Sequence, residues 1–228
     1  MSFWESAEWY AYEVADGDAP GTRSRLLASA PWQTQVIDLT PTERDLWRGV
    51  RKSYKSLIHK AERTSQIMAV GPEAMPICRA LHDERAGRQT RSAETWNMMA
   101  RWIVNGHAVL FVSAQSSEVS AYAFFVTFCG WSYYFSAATT APNLHHALVW
   151  HALRYLRGEQ IATVLEMGWQ GEATDQKGQN IEYFRRGFGG VSVPLSLVHL
   201  GGGAPASSTS DVSGLAARGL HHLPEGVE

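Results

Sequence analysis

Cysteine is scarce in this chain of 228 residues: Cys78 and Cys129 are the only two, far apart and outside any CxxC pair. A disulfide framework and a cysteine-based zinc site are both excluded. No window approaches the roughly 18 uninterrupted apolar residues that a bilayer-spanning helix requires. Met1 to Tyr10 has neither the basic region nor the apolar run of a secretory leader. The expectation is a soluble, cytoplasmic protein without a membrane span. An excess of one charge is also missing, since 20 Lys and Arg face 22 Asp and Glu. The global positive field of a dedicated nucleic-acid binder is therefore absent, and only a local basic patch is left open. No GxSxG marks a serine hydrolase. His145, His146 and His151 share one helical stretch, but no two are four apart, so they offer no two-histidine zinc face, and no metal is expected. Cys129 reads as a buried strand cysteine rather than a nucleophile.

What the chain does have is 45% hydrophobic residues, nine of them Trp. That is enough to bury one sizeable core, and residues 1–200 read as a single domain. After Leu200 the run GGGAPASSTSDVSG has almost nothing to bury, so 201–228 reads as a flexible tail.

Within the domain, strand-like and helix-like periods alternate. Gln33 to Leu39 reads as a strand. Thr40-Pro41-Thr42-Glu43 then forms a capping signature that opens one long helix, Pro41 to Ser65, with Leu46, Trp47, Val50, Tyr54, Leu57, Ile58 and Ala61 on its apolar face. Ile67 to Val70 reads as a short strand, followed by helices over Met75 to Arg88 and Ser92 to Asn105. A three-strand meander follows: Ala108 to Ala114, Val119 to Cys129 and Trp131 to Ala138. Asn143 caps a largely apolar helix, Leu144 to Leu156. Strand Ile161 to Gly168, helix Gly178 to Arg186 and strand Val191 to Leu200 complete the order. This is a mixed α/β sheet covered by helices.

Two constellations carry chemistry. Arg48, Arg51, Lys52, Lys55, His59 and Arg63 lie opposite the apolar face of the long helix, and no Asp or Glu falls between Arg48 and Lys60. Such a strip is either a solvated face or a holder of phosphates. The second is Gly168-Trp169-Gln170-Gly171-Glu172 with Tyr183, Arg185 and Arg186 downstream, which places polar groups at the carboxyl end of a strand, where α/β sheets open ligand crevices. The loop before the apolar helix, TTAPN at Thr139 to Asn143, has no glycine, so a standard coenzyme A pyrophosphate cradle is missing there.

RKSYKSLIHKAER (Arg51 to Arg63) resembles the basic helix of the Fem-type transferases. The strand with Tyr133, Tyr134 and Ala137, the helix with Leu148-Val149-Trp150, the strand Leu165-Glu166-Met167-Gly168 and the closing IEYFRRGFGG are similar to that family's second half. The resemblance covers about Val36 to Leu200 and implies a GNAT-like fold: a mixed, mostly antiparallel central sheet flanked by helices. It implies an acyltransferase that forms an amide between an activated donor, aminoacyl-tRNA or acyl-CoA, and a small amine, amino sugar or peptide. No cofactor is then bound permanently, and tRNA and a homo-oligomer are left open as partners. The family's closing-motif lysine falls on Arg185, which stays protonated and suits an anion clamp better than a proton shuttle. The catalytic candidates are Arg185, Tyr134 and Glu166. The candidates for binding substrate or phosphate are Arg51, Lys52, Lys55, Trp169, Glu172, Tyr183 and Arg186. The competing reading is a non-catalytic binding or assembly module on the same fold.

Overall fold

The computed structural model describes residues 9–12, 31–115, 118–170 and 176–199. The tail and Glu172 lie outside them. The chain divides into two compact units. In the smaller unit, β1 (Trp9–Tyr12) runs antiparallel to β8 (Val191–His199), with Trp9 opposite His199. β1 has no counterpart in the sequence reading.

The larger unit, Gln35–Gly168 with Glu172–Val191, carries the remaining elements except for Pro31–Thr34 of β2 and Trp169–Gln170 of β7, which count with the smaller unit. They are β2 (Pro31–Asp38), α1 (Glu43–Gly49), α2 (Lys52–Thr64), β3 (Gln66–Val70), a 3-10 turn at Pro72–Ala74, α3 (Met75–Ala86), α4 (Ala93–Val104), β4 (Ala108–Gln115), β5 (Glu118–Phe128), β6 (Trp131–Thr139), α5 (Leu144–Gly158), β7 (Val164–Gln170) and α6 (Gln176–Arg186). Their strands lie in the order β2-β7-β6-β5-β4-β3. β3, β4, β5 and β6 form an antiparallel run, whereas β6 and β7 are parallel. This is a mixed, mostly antiparallel sheet flanked by helices, as the resemblance implies.

The pleat divides the core between the two faces of the sheet. One face packs Phe111, Phe125, Leu165 and Met167 against Tyr54 and Ile58 of α2 and Leu148, Leu153 and Leu156 of α5. The other sets Tyr122 and Phe124 beside Trp96 and Trp102 of α4. α5 buries eight of its residues, as its apolar sequence demands. Its Asn143 N-cap is left-handed, however, and its side chain makes no capping bond.

The long helix expected over Pro41 to Ser65 is two helices. Val50 and Arg51 are extended, at φ −67°, ψ 131° and φ −52°, ψ 136°. The cause is tertiary: the Arg51 N–H donates to the Gly187 carbonyl at 2.8 Å instead of continuing the helix ladder. The start also moves two residues, because Thr42 is the N-cap. Its Oγ1 accepts from the Asp45 N–H at 3.2 Å and donates to the Asp45 carboxylate at 2.6 Å. Pro41 therefore precedes the helix. Cys129 is also corrected: it is an exposed, left-handed turn residue at φ 46° between β5 and β6.

Gly187 shows how tight the junction is. A Cβ at this position would be driven into the ring of Tyr54, which is itself buried. Gly187→Ala should therefore destabilise the protein by roughly 2–4 kcal/mol through overpacking, read as a fall in the urea midpoint at unchanged m. An unaltered midpoint would show that the ring yields freely.

Candidate active site in the parting of two parallel strands

β6 and β7 pair only at Trp131 with Val164, Ser132 with Leu165 and Tyr133 with Glu166. β6 continues to Thr139 and β7 to Gln170, so the strands part beyond Tyr133 and Glu166. On its other side β6 is bulged: Phe124 faces Ser136 and Phe125 faces Tyr134, leaving Phe135 as the extra residue. Parting and bulge free part of the β6 backbone and re-aim its side chains at one place.

Arg185, in the last turn of α6, reaches the parting. Its Nη2 and Cζ lie 3.0 and 3.2 Å from the point where a Cβ on Gly168 would stand, and Tyr133 Oη is 3.3 Å from that point. Gly168 has φ +92°, so both its conformation and the guanidinium beside it demand glycine. Burial lowers the pKa of Arg185, while Tyr133, Tyr134, Glu166 and Glu182 act in favour of its charge. Burial also holds Tyr133 neutral, raising its pKa to about 12; Glu166 adds to this and Arg185 opposes it. Tyr134 is raised as well, chiefly by burial. The result is one fixed cation, one half-buried carboxylate and two neutral phenols: an arrangement that can stabilise an oxyanion and donate hydrogen bonds in a low-dielectric setting.

Of the residues singled out in the sequence, Arg185, Tyr134 and Glu166 are thus brought together. Tyr133 was missed. It faces Glu166 in register, whereas the Tyr134 ring stacks on core residue Phe125 with centroids 5.3 Å apart. Strand alternation makes the two adjacent tyrosines look to opposite faces, and that was the available signal. Arg51 lies at the contact between α2 and α6. Its guanidinium lies 3.7 Å from the centroid of the Tyr183 ring and donates to Tyr54 Oη and the Tyr183 carbonyl, both at 3.0 Å. It ties α2 to α6. Lys55 lies over Trp47 at 5.5 Å and Lys52 is solvent-facing, so neither joins the Arg185 group. The break at Arg51 also interrupts the cationic strip. Arg186 is exposed and lies 4.0 Å from Glu182. Trp169 follows Gly168 in β7; its side chain, like Glu172, is outside the described residues. Among those residues no group of three His, Cys, Asp or Glu could hold a metal, and no helix is long and apolar enough to cross a membrane.

A parallel pair thus parts inside a mostly antiparallel sheet, its two strands joined through a buried helix. The solved structures agree. FemX is similar at a TM-score of 0.60 and 14% identity, over 73% of this chain and 59% of that one. L-PGS from Bacillus licheniformis is similar at 0.60 and 15%, over 86% and 67%. The C-terminal domain of a putative lysylphosphatidylglycerol synthetase from Agrobacterium fabrum is similar at 0.56 and 12%, over 82% and 66%. The chain thus spans about three-fifths of the FemX structure, and these likenesses establish the fold. No family model matches the sequence, and no curated protein matches it.

Three histidines of α5 give a pH prediction. Burial lowers the pKa of His145 to about 4, against a backbone hydrogen bond with Ala138, and lowers those of His146 and His151 too. His145 is therefore neutral when folded down to about pH 4 but takes up a proton near 6.5 when unfolded, and the lowered values of His146 and His151 act with the same sign. Stability should be level above that value and fall as pH drops towards 4, with a slope approaching about 1.4 kcal/mol per pH unit for His145 alone. Urea midpoints across this window check it: His145→Gln should flatten the decline, and a flat wild-type curve would contradict the burial.

Proposed function

We propose that this chain is a Fem-like N-acyltransferase that moves an activated acyl or aminoacyl group onto an amine. The observation that carries the reading is the Arg185 guanidinium set against Gly168 and the Tyr133 hydroxyl where β6 and β7 part. In the reaction the amine nitrogen attacks the acyl carbon, the C–N bond forms, and negative charge collects on the carbonyl oxygen. Arg185 stabilises that charge, with a hydrogen bond from Tyr133. Collapse breaks the C–O bond of an aminoacyl ester or the C–S bond of a thioester. The amine gives up its proton to Glu166, which passes it on to the leaving oxygen or sulfur, so that the carboxylate is restored. Arg185 moves no proton, because a guanidinium stays charged.

An aminoacyl ester is the favoured donor. The TTAPN loop ahead of α5 lacks the glycines of a pyrophosphate cradle, and one of the similar structures is described as a synthetase of lysylphosphatidylglycerol, a product that by name carries a lysyl group.

The test is to incubate the full chain separately with radiolabelled aminoacyl-tRNA and with acetyl-CoA, each with a panel of small amines, and to measure labelled amide. Arg185→Ala should reduce turnover by about 10²–10³-fold, the usual loss for an oxyanion donor, with an unchanged circular-dichroism spectrum. Gly168→Ala should follow it, and Tyr133→Phe should cost more than Tyr134→Phe. Equal rates in wild type and Arg185→Ala would remove the assignment.

A further inference from the structure

A second polar cluster lies beside the first, formed by α3, α4, the segment joining them, and the adjoining parts of β5 and β6. Tyr122, fully buried, has its Oη 2.8 Å from Ser136 Oγ and 2.9 Å from His82 Nδ1. His82 Nε2 is 2.7 Å from Arg91 Nη1, and the Thr90 hydroxyl reaches the same nitrogen at 2.8 Å. A guanidinium only donates, so Nε2 accepts and the neutral ring carries its proton on Nδ1. The hydrogen bonds consequently run one way: Arg91 to His82, His82 to Tyr122, Tyr122 to Ser136. This chain fixes Arg91 to the sheet, with the rings of Trp96 and Phe135 at 5.6 and 5.7 Å from its Cζ.

Arg91 held in this way lacks a counter-ion. Burial lowers its pKa, and Asp83 is the only carboxylate that acts on it; yet Asp83 is paired with Arg79 at 3.7 Å, and Arg91 forms no ion pair among the described residues. Two more buried atoms of the cluster, Asp83 Oδ1 and Trp96 Nε1, have no hydrogen-bond partner among the described residues. One is an acceptor bearing negative charge, the other a donor. Buried polar atoms are almost always satisfied, so a guanidinium without a carboxylate, an indole N–H without an acceptor and a carboxylate oxygen without a donor together outline a missing molecule. Its chemistry is a carboxylate joined to an amine. The cluster also touches the first site, because Phe135 is in ring contact with Tyr133 at 6.4 Å.

We propose that Arg91, Trp96 and Asp83 form a binding site for a free amino acid, with the carboxylate on Arg91 and Trp96 Nε1 and the amine on Asp83 Oδ1. The amino acid is the acceptor of the transfer; that role rests on the transferase reading, whereas the binding does not.

The experiment titrates the full chain with L-alanine, with alanine amide, which lacks the carboxylate, and with propionate, which lacks the amine. The readout is the indole N–H resonance of Trp96, assigned with Trp96→Phe. L-Alanine should shift it, with both single-group probes at least about tenfold weaker. Arg91→Gln should weaken L-alanine by about tenfold or more and Arg91→Lys by less, while Asp83→Asn should weaken L-alanine and leave propionate unchanged. Arg185→Ala should leave L-alanine binding intact. If Arg91→Gln fails to fold, Arg91→Lys and Asp83→Asn carry the comparison. The proposal is overturned if L-alanine leaves the resonance in place, as it would if the cluster held only an internal water, if either single-group probe binds as well, or if the variants bind like wild type. Alanine binding in a protein that transfers nothing would refute the transferase reading alone.

Discussion

Arg185 stands where it does because of a junction one turn away. The Arg51 N–H is hydrogen-bonded to the Gly187 carbonyl, the Arg51 guanidinium covers Tyr183, and Tyr54 Oη donates to the Tyr183 carbonyl at 3.2 Å. Phe184, Phe188 and His146 complete the packing around the Tyr54 ring. Apart from the Tyr54–His146 contact, which joins the start of α2 to that of α5, these contacts link the start of α2 to the end of α6. Two residues before Gly187, Arg185 inherits the position thus fixed. The break in the long helix serves the same end, since a helix running on through Arg51 would keep that N–H for itself.

The electrostatic logic follows from the position. A guanidinium withdrawn from water is costly unless its surroundings favour the charge. Here two phenols and two carboxylates do so without neutralising it. Cation and phenols keep one protonation state across the neutral range, so the group's character is set by geometry and not by pH.

Much of this was legible in the sequence. The order of elements follows from apolar periods, and the choice of Arg185 as a candidate from the IEYFRRGFGG segment, because these depend on neighbours in the chain; that β6 and β7 run parallel was not read from the sequence. The two-helix start was not legible: the apolar period runs unbroken from Leu46 to Ala61, and only a partner more than a hundred residues away ends the first helix. Tyr133 was passed over for the same kind of reason, since the register with β7 decides which of two adjacent tyrosines faces Glu166. The Arg91 cluster draws on α3, the segment before α4, α4 itself, β5 and β6, five places with no shared motif. β1 lies in a stretch whose sequence resembles nothing that would have announced a strand.

The two cysteines differ in a way that gives the protein a practical address. Cys78 is fully buried and its thiol is pushed up to about 12 by that burial, which removes it from thiolate chemistry at neutral pH. Cys129 sits exposed on the turn that leads into β6, the strand that carries Tyr133 and Phe135. A maleimide dye or spin label would therefore attach at one chosen point, without mutagenesis, and report from the mouth of the hairpin whose far arm forms the wall of the site.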